Sequence, residues 1–376
     1  VDRPTGTPES EARARRYHRL QLLLGAAGLA AGAAYLLIVL AAGLAAAVAR
    51  AAATVSPVLA WRVAVVAIVV GALERVIDFP LTWVRGFVLP RRYGLLHQSF
   101  RSWLLDGAKA AAIGGLVGLV AVEVIYALLA TTARWWLVAA VVLIAVQALL
   151  AFVFPVLLMP IFYRMSPLTD ETVRARLQAL AARAGIPIAT VCVADQSRKS
   201  RTANAAVAGF GRTRRIVLFD TLVARFAPAE IEAVLAHELG HHARADVWRG
   251  LGAQAALTIV ALWIADHLLR LGPRLWGLAG PADPAGLPWL ALILSAVGVA
   301  ATPLVNAFSR RLERRADDYA LALTRDPAAF IGAMERLASL NLAQRAPHPV
   351  TEALLHSHPS IERRIARART GAWTGV

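Results

Sequence analysis

Apolar residues run through this chain in long stretches, separated by short polar segments rich in arginine. Six stretches, at 20–48, 58–79, 108–130, 135–154, 250–271 and 288–308, are near or above the roughly 20 residues that a helix needs to cross a bilayer. Glu74 and Asp78 interrupt the second and Glu123 lies in the third. Ionisable groups at membrane depth are expensive, so these are expected to face the bundle interior or a wet cavity. Asp266 and His267, near the end of the fifth, are expected to snorkel to the interface. The polar insert between the fourth and fifth stretches has a different rhythm. "DETVRARLQALAARAG" spaces its apolar residues as a helix does and ends on a glycine stop. "ATVCVAD" and "RRIVLFD" read as strands, with the turn-like "GFGRTR" between them. "APAEIEAVLAHELGHHARAD" begins a further helix, with Pro228, Glu230 and Glu232 in or near its first turn.

Composition narrows the class. Hydrophobic residues make up 58% of the chain and charged ones 17%, the profile of a polytopic membrane protein rather than of soluble domains. The net charge of +16 is almost all arginine, since Lys109 and Lys199 are the only lysines, a bias expected of a GC-rich bacterial genome. The charge lies in blocks beside the apolar stretches, which favours anionic lipid headgroups over nucleic acid as the partner. The N-terminal block (Arg13, Arg15, Arg16, Arg19), the loop after the second stretch, the insert and the tail are all basic. Six spans with both termini and the insert on the cytoplasmic side of an inner membrane satisfy the positive-inside rule. Trp61, Trp135, Trp136 and Trp289 lie at span ends, where an aromatic belt would place them. The first apolar stretch is too long for a signal-peptide core and is read as a retained anchor. Cys192 is the one cysteine, so no intramolecular disulfide forms, and its alternating strand context suits a small core residue.

The candidate chemistry sits in "AVLAHELGHHARAD". His237 and His241 are four apart on a helix, so both imidazoles leave one face and can share an ion. Glu238, beside the first, can take a proton from a metal-bound water. A catalytic zinc needs three protein ligands and an open position, so a third must come from elsewhere. "NAFSRRLERRADDYA", at the inner end of the sixth stretch, offers Glu313, and Asp317 one turn later could fix the tautomer of a ligand imidazole. Taken alone, that segment also reads as a salt-bridged exit from the membrane.

Motif order strengthens the first reading. "IDFPLTWVRGFVLPRRYGLLHQSFRSWLLDGAKA", "DQSRKSRTANAAVAG" followed by "RRIVLFDTL", "NAFSRRLERRADDYA" and "LLHSHPSIERRIARA" together resemble the type 1 CAAX prenyl endopeptidases, integral-membrane zinc peptidases of the gluzincin group. The resemblance implies Glu313 as third ligand and Asp317 behind it. It implies that Asn204 lies on an edge strand pairing with substrate backbone, and that His358 and Arg364 stabilise the oxyanion or brace the ligands. His242, His348 and His356 are read as structural or solvated, and Asp246 as a possible brace of the metal helix. Two departures stand out. Eukaryotic members have seven spans, of which this chain is expected to lack the first, and Ala206 stands where they carry an aromatic residue.

The expected fold is therefore a polytopic α-helical membrane protein with about six transmembrane helices and a small α/β zinc-peptidase unit bearing the HExxH helix. Its expected parts are residues 1–160 (tail and four spans), 161–249 (peptidase insert), 250–310 (two spans) and 311–376 (third-ligand helix and His-Pro tail). The expected activity is metalloendopeptidase hydrolysis of membrane-associated or lipid-linked peptides, with one zinc per chain and Glu238 as general base. A membrane-protein quality-control protease and a non-catalytic membrane scaffold are the competing readings.

Overall fold

The structure is a computed structural model that describes residues 7–153, 157–209, 211–371 and 373. Helix α1 (Pro8–Ala41) opens on Thr7, whose hydroxyl accepts the Ser10 N–H, with Pro8 where its missing donor costs nothing. The chain then turns at Gly43, φ +64°, into α2 (Leu44–Val55). The expected single span at 20–48 is thus two helices, and the second, at 12 residues and about 18 Å, is too short to cross a membrane. The break was hidden by one glycine among alanines, where only a left-handed backbone reverses the chain.

Helix α3 (Leu59–Trp83) runs into a π-helical turn (Val84–Val88) and the short α4 (Leu89–Arg92), with Pro80 and Pro90 bracketing the irregularity. Ser99 caps α5 (Phe100–Thr131), which is followed by α6 (Trp135–Val153) and α7 (Met159–Phe162). Phe154, the expected end of the fourth span, lies outside the described residues.

The insert follows: β1 (Met165–Pro167), α8 (Glu171–Arg183), β2 (Thr190–Ala194), β3 (Ala205–Ala208), β4 (Arg215–Phe219) and α9 (Asp220–Val223). Asp170 caps α8 by accepting the Val173 N–H, and Gly185, φ +67°, stops it. The sheet order is β1-β2-β4-β3, with β2 and β4 parallel and β3 an antiparallel edge. Two strands were expected from their pattern and an edge strand at Asn204 from the resemblance; β3 begins one residue later, and β1 and β3 were too short, and β3 too alanine-rich, to carry an alternating pattern of their own. Next come α10 (Pro228–Ala243), α11 (Asp246–Leu269), α12 (Gly272–Trp276), α13 (Leu287–Thr324), α14 (Pro327–Leu340), α15 (Pro349–Leu355) and α16 (Ile361–Thr370). A core of Leu177, Leu180, Ile216, Leu218, Leu239 and Phe330 joins α8, the sheet, α10 and α14.

Among the described residues five helices are long and apolar enough to cross a membrane: α1, α5, α6, α11 and the segment Pro284–Thr324 containing α13. Helix α3 matches them in length but carries Arg62, Glu74, Arg75 and Asp78. The chain is a multi-pass membrane protein. Its long helices close into a ring, each packed on the next in the order α1, α3, α5, α6, α11, α13 and back to α1. The wall is one helix thick: α1, α5, α6 and α13 each bury only 11% of their most apolar stretch. No residue from Phe100 to Val124 of α5 is buried. A filled bundle would bury one face of every helix, so the helices line a hollow rather than a packed core. One end is plugged by Val63, Tyr126, Trp135, Leu262, Leu269 and Leu290. Here two expectations are corrected. Asp266 does not snorkel; it is 7% exposed, accepts from Trp135 Nε1 at 2.6 Å and pairs with Arg270 at 3.0 Å. Trp135 is accordingly buried in the plug rather than set in a lipid-facing belt. At the other end Ala14, Leu89, Tyr93, Leu95 and Leu342 pack together, so the start of α1, the loop after α3 and the peptidase unit meet on one side.

Candidate metal centre

Helix α10 is the base of the site. Pro228 occupies its first turn and the Glu230 carboxylate accepts the Ala227 N–H at 2.8 Å, fixing where the helical register begins. His237 and His241 therefore leave the same face. Gly240, between them, is where α10 crosses α13: a Cβ there would meet Ala316 Cα at 3.1 Å and Ala316 O at 3.2 Å. The close crossing brings Glu313, one turn before Ala316, against both imidazoles. Glu313 Oε2 lies 3.3 Å from His237 Nε2, and its Oε1 lies 3.5 Å from His241 Nε2. The three candidate ligand atoms fall within 4.8 Å of one another.

The outer imidazole nitrogens are both occupied. His237 Nδ1 lies 2.8 Å from Asp317 Oδ1, and His241 Nδ1 lies 3.1 Å from Asp246 Oδ2. A carboxylate can only accept, so each Nδ1 carries the proton and donates it, leaving both Nε2 lone pairs free. Those lone pairs face one another at 3.2 Å with a carboxylate beside them, and Glu313 Oε2 is buried without a hydrogen-bond partner. A bound cation satisfies such a donor set. Two ligands about 2.1 Å from a tetrahedral zinc would be roughly 3.4 Å apart, close to the 3.2, 3.3 and 3.5 Å separations here, so the residues fit that ion. The cluster draws in positive charge.

Around this core the C-terminal helix supplies further groups. Arg364, on α16, donates from Nε to Asp317 Oδ2 at 2.9 Å and from Nη2 to Oδ1 at 2.6 Å. Asp317 is 1% exposed, and this fork holds both its oxygens. His358, on the turn before α16, places Nε2 3.3 Å from Glu313 Oε1 while the ring stays largely exposed. Glu238 accepts no hydrogen bond from the described residues, and burial raises its carboxyl above the ordinary range against the pull of His237 and His241.

Asn204 lies apart from this cluster. Its side chain is exposed and accepts its neighbour's Ala205 N–H at 2.9 Å, while its carbonyl accepts the Phe219 N–H at 3.0 Å, immediately ahead of edge strand β3. The segment leading to it is clamped. Lys199 Nζ pairs with Asp106 of α5 at 2.6 Å, and the Lys199 carbonyl accepts the His97 and Gln98 N–H groups. Asn341 holds both backbone groups of Ala203. His242 then ties β3 to the metal helix by donating from Nε2 to the Val207 carbonyl at 2.9 Å. Gly240, Asn341 and the His242 tether escaped the reading of the sequence. The signal for Gly240 was there, since a glycine inside a helical pattern usually has a packing reason.

A ring of membrane helices, closed at one end and carrying a two-histidine, one-glutamate cluster at the other, defines a class: the integral-membrane metallopeptidase. Comparison with known proteins agrees. Residues 167–372 match the profile of peptidase family M48, and residues 4–164 match the CAAX prenyl protease N-terminal region with five membrane helices. The chain is 31% identical over 305 residues to the uncharacterized metalloprotease YhfN of Bacillus subtilis, spanning 80% of this chain and 71% of that protein. It is 37% identical over 175 residues to CAAX prenyl protease 1 of Saccharomyces cerevisiae, covering 45% of this chain and 38% of that one. The crystal structure of S. mikatae Ste24p superimposes with a TM-score of 0.83 at 25% identity, covering 96% of this chain and 89% of that one. The chain belongs to peptidase family M48 and is a membrane zinc metalloprotease.

Proposed function

We propose that the protein hydrolyses peptide bonds in extended, membrane-associated or lipid-linked segments at a centre holding one zinc per chain. His237, His241 and Glu313 would be the ligands. The observation that carries this is the pair of free Nε2 atoms 3.2 Å apart beside the unpartnered Glu313 oxygen. Bound zinc supplies Lewis acidity and activates water.

The chain's own residues would do the rest. Asp317 and Asp246 keep the ligand imidazoles in one tautomer, and Arg364 holds Asp317 in place. Glu238, unengaged and with a raised pKa, takes a proton from the attacking water and returns it to the leaving amine. His358, on the open side of Glu313, is placed to donate to the developing oxyanion. Arg364 is a positioning residue on this reading, since it grips Asp317 from Nε and Nη2 and its Nη2 also comes within 3.3 Å of His237 Nδ1, behind the ligand imidazole. Substrate backbone would add to the outer edge of β3 on the Asn204 side of Val207, whose carbonyl is taken by His242. Both termini and the centre would face the cytoplasm across a bacterial inner membrane, because the basic segments gather at that end of the ring. The CAAX prenyl proteases among its relatives supply the precedent for a lipid-linked substrate.

The test compares membrane-proteome termini from cells expressing the wild type and Glu238→Ala. New termini confined to the wild type, with zinc retained by the variant, are the expected result. Identical termini would overturn the reading.

A further inference from the structure

Past Phe308, α13 passes from apolar sequence into "SRRLERRADD". On that flank, between α13, α15 and α16, lies a cavity of about 250 Å³. Five arginines line it: Arg310, Arg314, Arg363, Arg364 and Arg367. Arg364 is committed to Asp317, and Arg367 grips Asp318 with bonds of 2.5 and 2.8 Å. Arg310 donates only to the carbonyls of Glu352, Ala353 and His356, which satisfy its hydrogens without cancelling its charge. Arg363 is 65% exposed and reaches Glu352 at 3.5 Å. Arg314 has no hydrogen-bond or ion-pair partner among the described residues.

Two carboxylates share the lining, and both are engaged. Asp317 serves His237 and Arg364; Glu352 accepts the Ser360 N–H at 3.1 Å as well as facing Arg363. With Asp318 counted against Arg367, five cations face three carboxylates, which leaves an excess of two positive charges in a recess, where repulsion is screened less than on an open surface. An anion relieves it.

The position says which anion. Arg310 and Arg314 lie within about 9 Å, along the helix, of the last apolar turn of α13. That is headgroup depth. Beside them α15, held to α13 by Asn306 Nδ2 bonding the Leu354 carbonyl at 2.9 Å, exposes Val350, Leu354 and Leu355. A short helix with bare apolar side chains at the rim of a cationic recess suits the boundary between headgroups and acyl chains.

We propose that this cavity binds the headgroup phosphate of an anionic phospholipid from the membrane the chain spans. The phosphate lies between Arg314, Arg310 and Arg363, and the acyl chains lie along α15. Because Arg364 and Asp317 form the inner wall, the lipid sits directly behind His237. The proposal does not depend on the roles given to Glu238, His358 or Asn204.

The experiment is native mass spectrometry of the full-length, detergent-solubilised protein with added phosphatidylglycerol or phosphatidylcholine. The Arg314→Gln/Arg363→Gln variant is compared with Arg16→Gln/Arg19→Gln, which removes the same charge from the exposed N-terminal block. Wild type is expected to retain phosphatidylglycerol in preference to phosphatidylcholine. The cavity variant should lose that preference, by roughly thirtyfold in affinity, while the N-terminal variant keeps it. Equal retention by wild type and the cavity variant would overturn the site. So would equal losses in both variants, which would reduce the effect to general surface charge. A third arm adds inorganic phosphate alone. If it displaces the lipid at millimolar concentration, the pocket recognises soluble phosphate and the lipid assignment falls.

Discussion

His237 and His241 are held at their outer nitrogens with unequal firmness. Asp317, behind His237, is fixed at both oxygens by Arg364, whereas Asp246, behind His241, leans on Arg249, which is 42% exposed. Charge removed from the firmer brace should be felt more. Asp317→Asn is expected to weaken zinc binding about 10–100-fold, and Asp246→Asn by less, measured by competition with a chromogenic chelator. A reversed order would show that the Arg364 fork does not matter to the metal. Glu238 sets the second prediction. In the metal-free protein burial holds its carboxyl above the ordinary range, so it should stay protonated to higher pH than an exposed glutamate, read as a carboxyl band in infrared difference spectra that Glu238→Gln removes. A carboxyl that ionises in the usual glutamate range would show that burial does not set its protonation. At this scale the sequence was informative where chemistry is local. The His237–Glu238–His241 spacing is visible on any helical projection. Glu313 and Asp317 were not, since Asp317 lies 80 positions from its imidazole partner, and only the resemblance selected them. His358 and Arg364 were equally anonymous among the tail cations.

Between elements, the decisive contact is the crossing of α10 and α13 at Gly240 and Ala316. Gly240→Ala would drive a methyl into the Ala316 backbone, which has no side chain to move aside. The crossing must give by a few tenths of an ångström, and that shift is expected to draw Glu313 away from both imidazoles. We expect that variant to lose most of its zinc and to lower the thermal midpoint, at an overpacking cost of about 1–3 kcal/mol. Zinc content equal to wild type would show that the crossing tolerates relaxation. Helix-forming stretches were legible because each span, and α8 and α10, carries its own apolar pattern and caps. The turn at Gly43 and the strands β1 and β3 were not. One depends on a single backbone angle, and the others on partners already in place.

Over the whole molecule the sequence showed helices but not their closure. Ring order depends on which faces meet, and helices exposed on both sides carry no stripe to reveal it. The burial of Trp135 against Asp266 was hidden for the same reason. Metal binding should also register at this scale. The candidate ligands are split between α10 and α13, so chelation is expected to lower the thermal midpoint by at least about 5 °C in the wild type, and hardly at all in Glu313→Ala. An equal shift in both would place the metal elsewhere.

That split has a consequence for how the protein is made. His237 and His241 emerge before α11, and Glu313 only past the apolar part of α13, so the intervening hairpin of two spans must be threaded into the bilayer before the third ligand can reach the other two. A nascent chain paused ahead of that step holds two histidines and the base but no complete centre. On the proposed ligand set, the newborn enzyme stays harmless to the ribosome and the insertion machinery around it, and it gains the power to cut only once its last hairpin is seated.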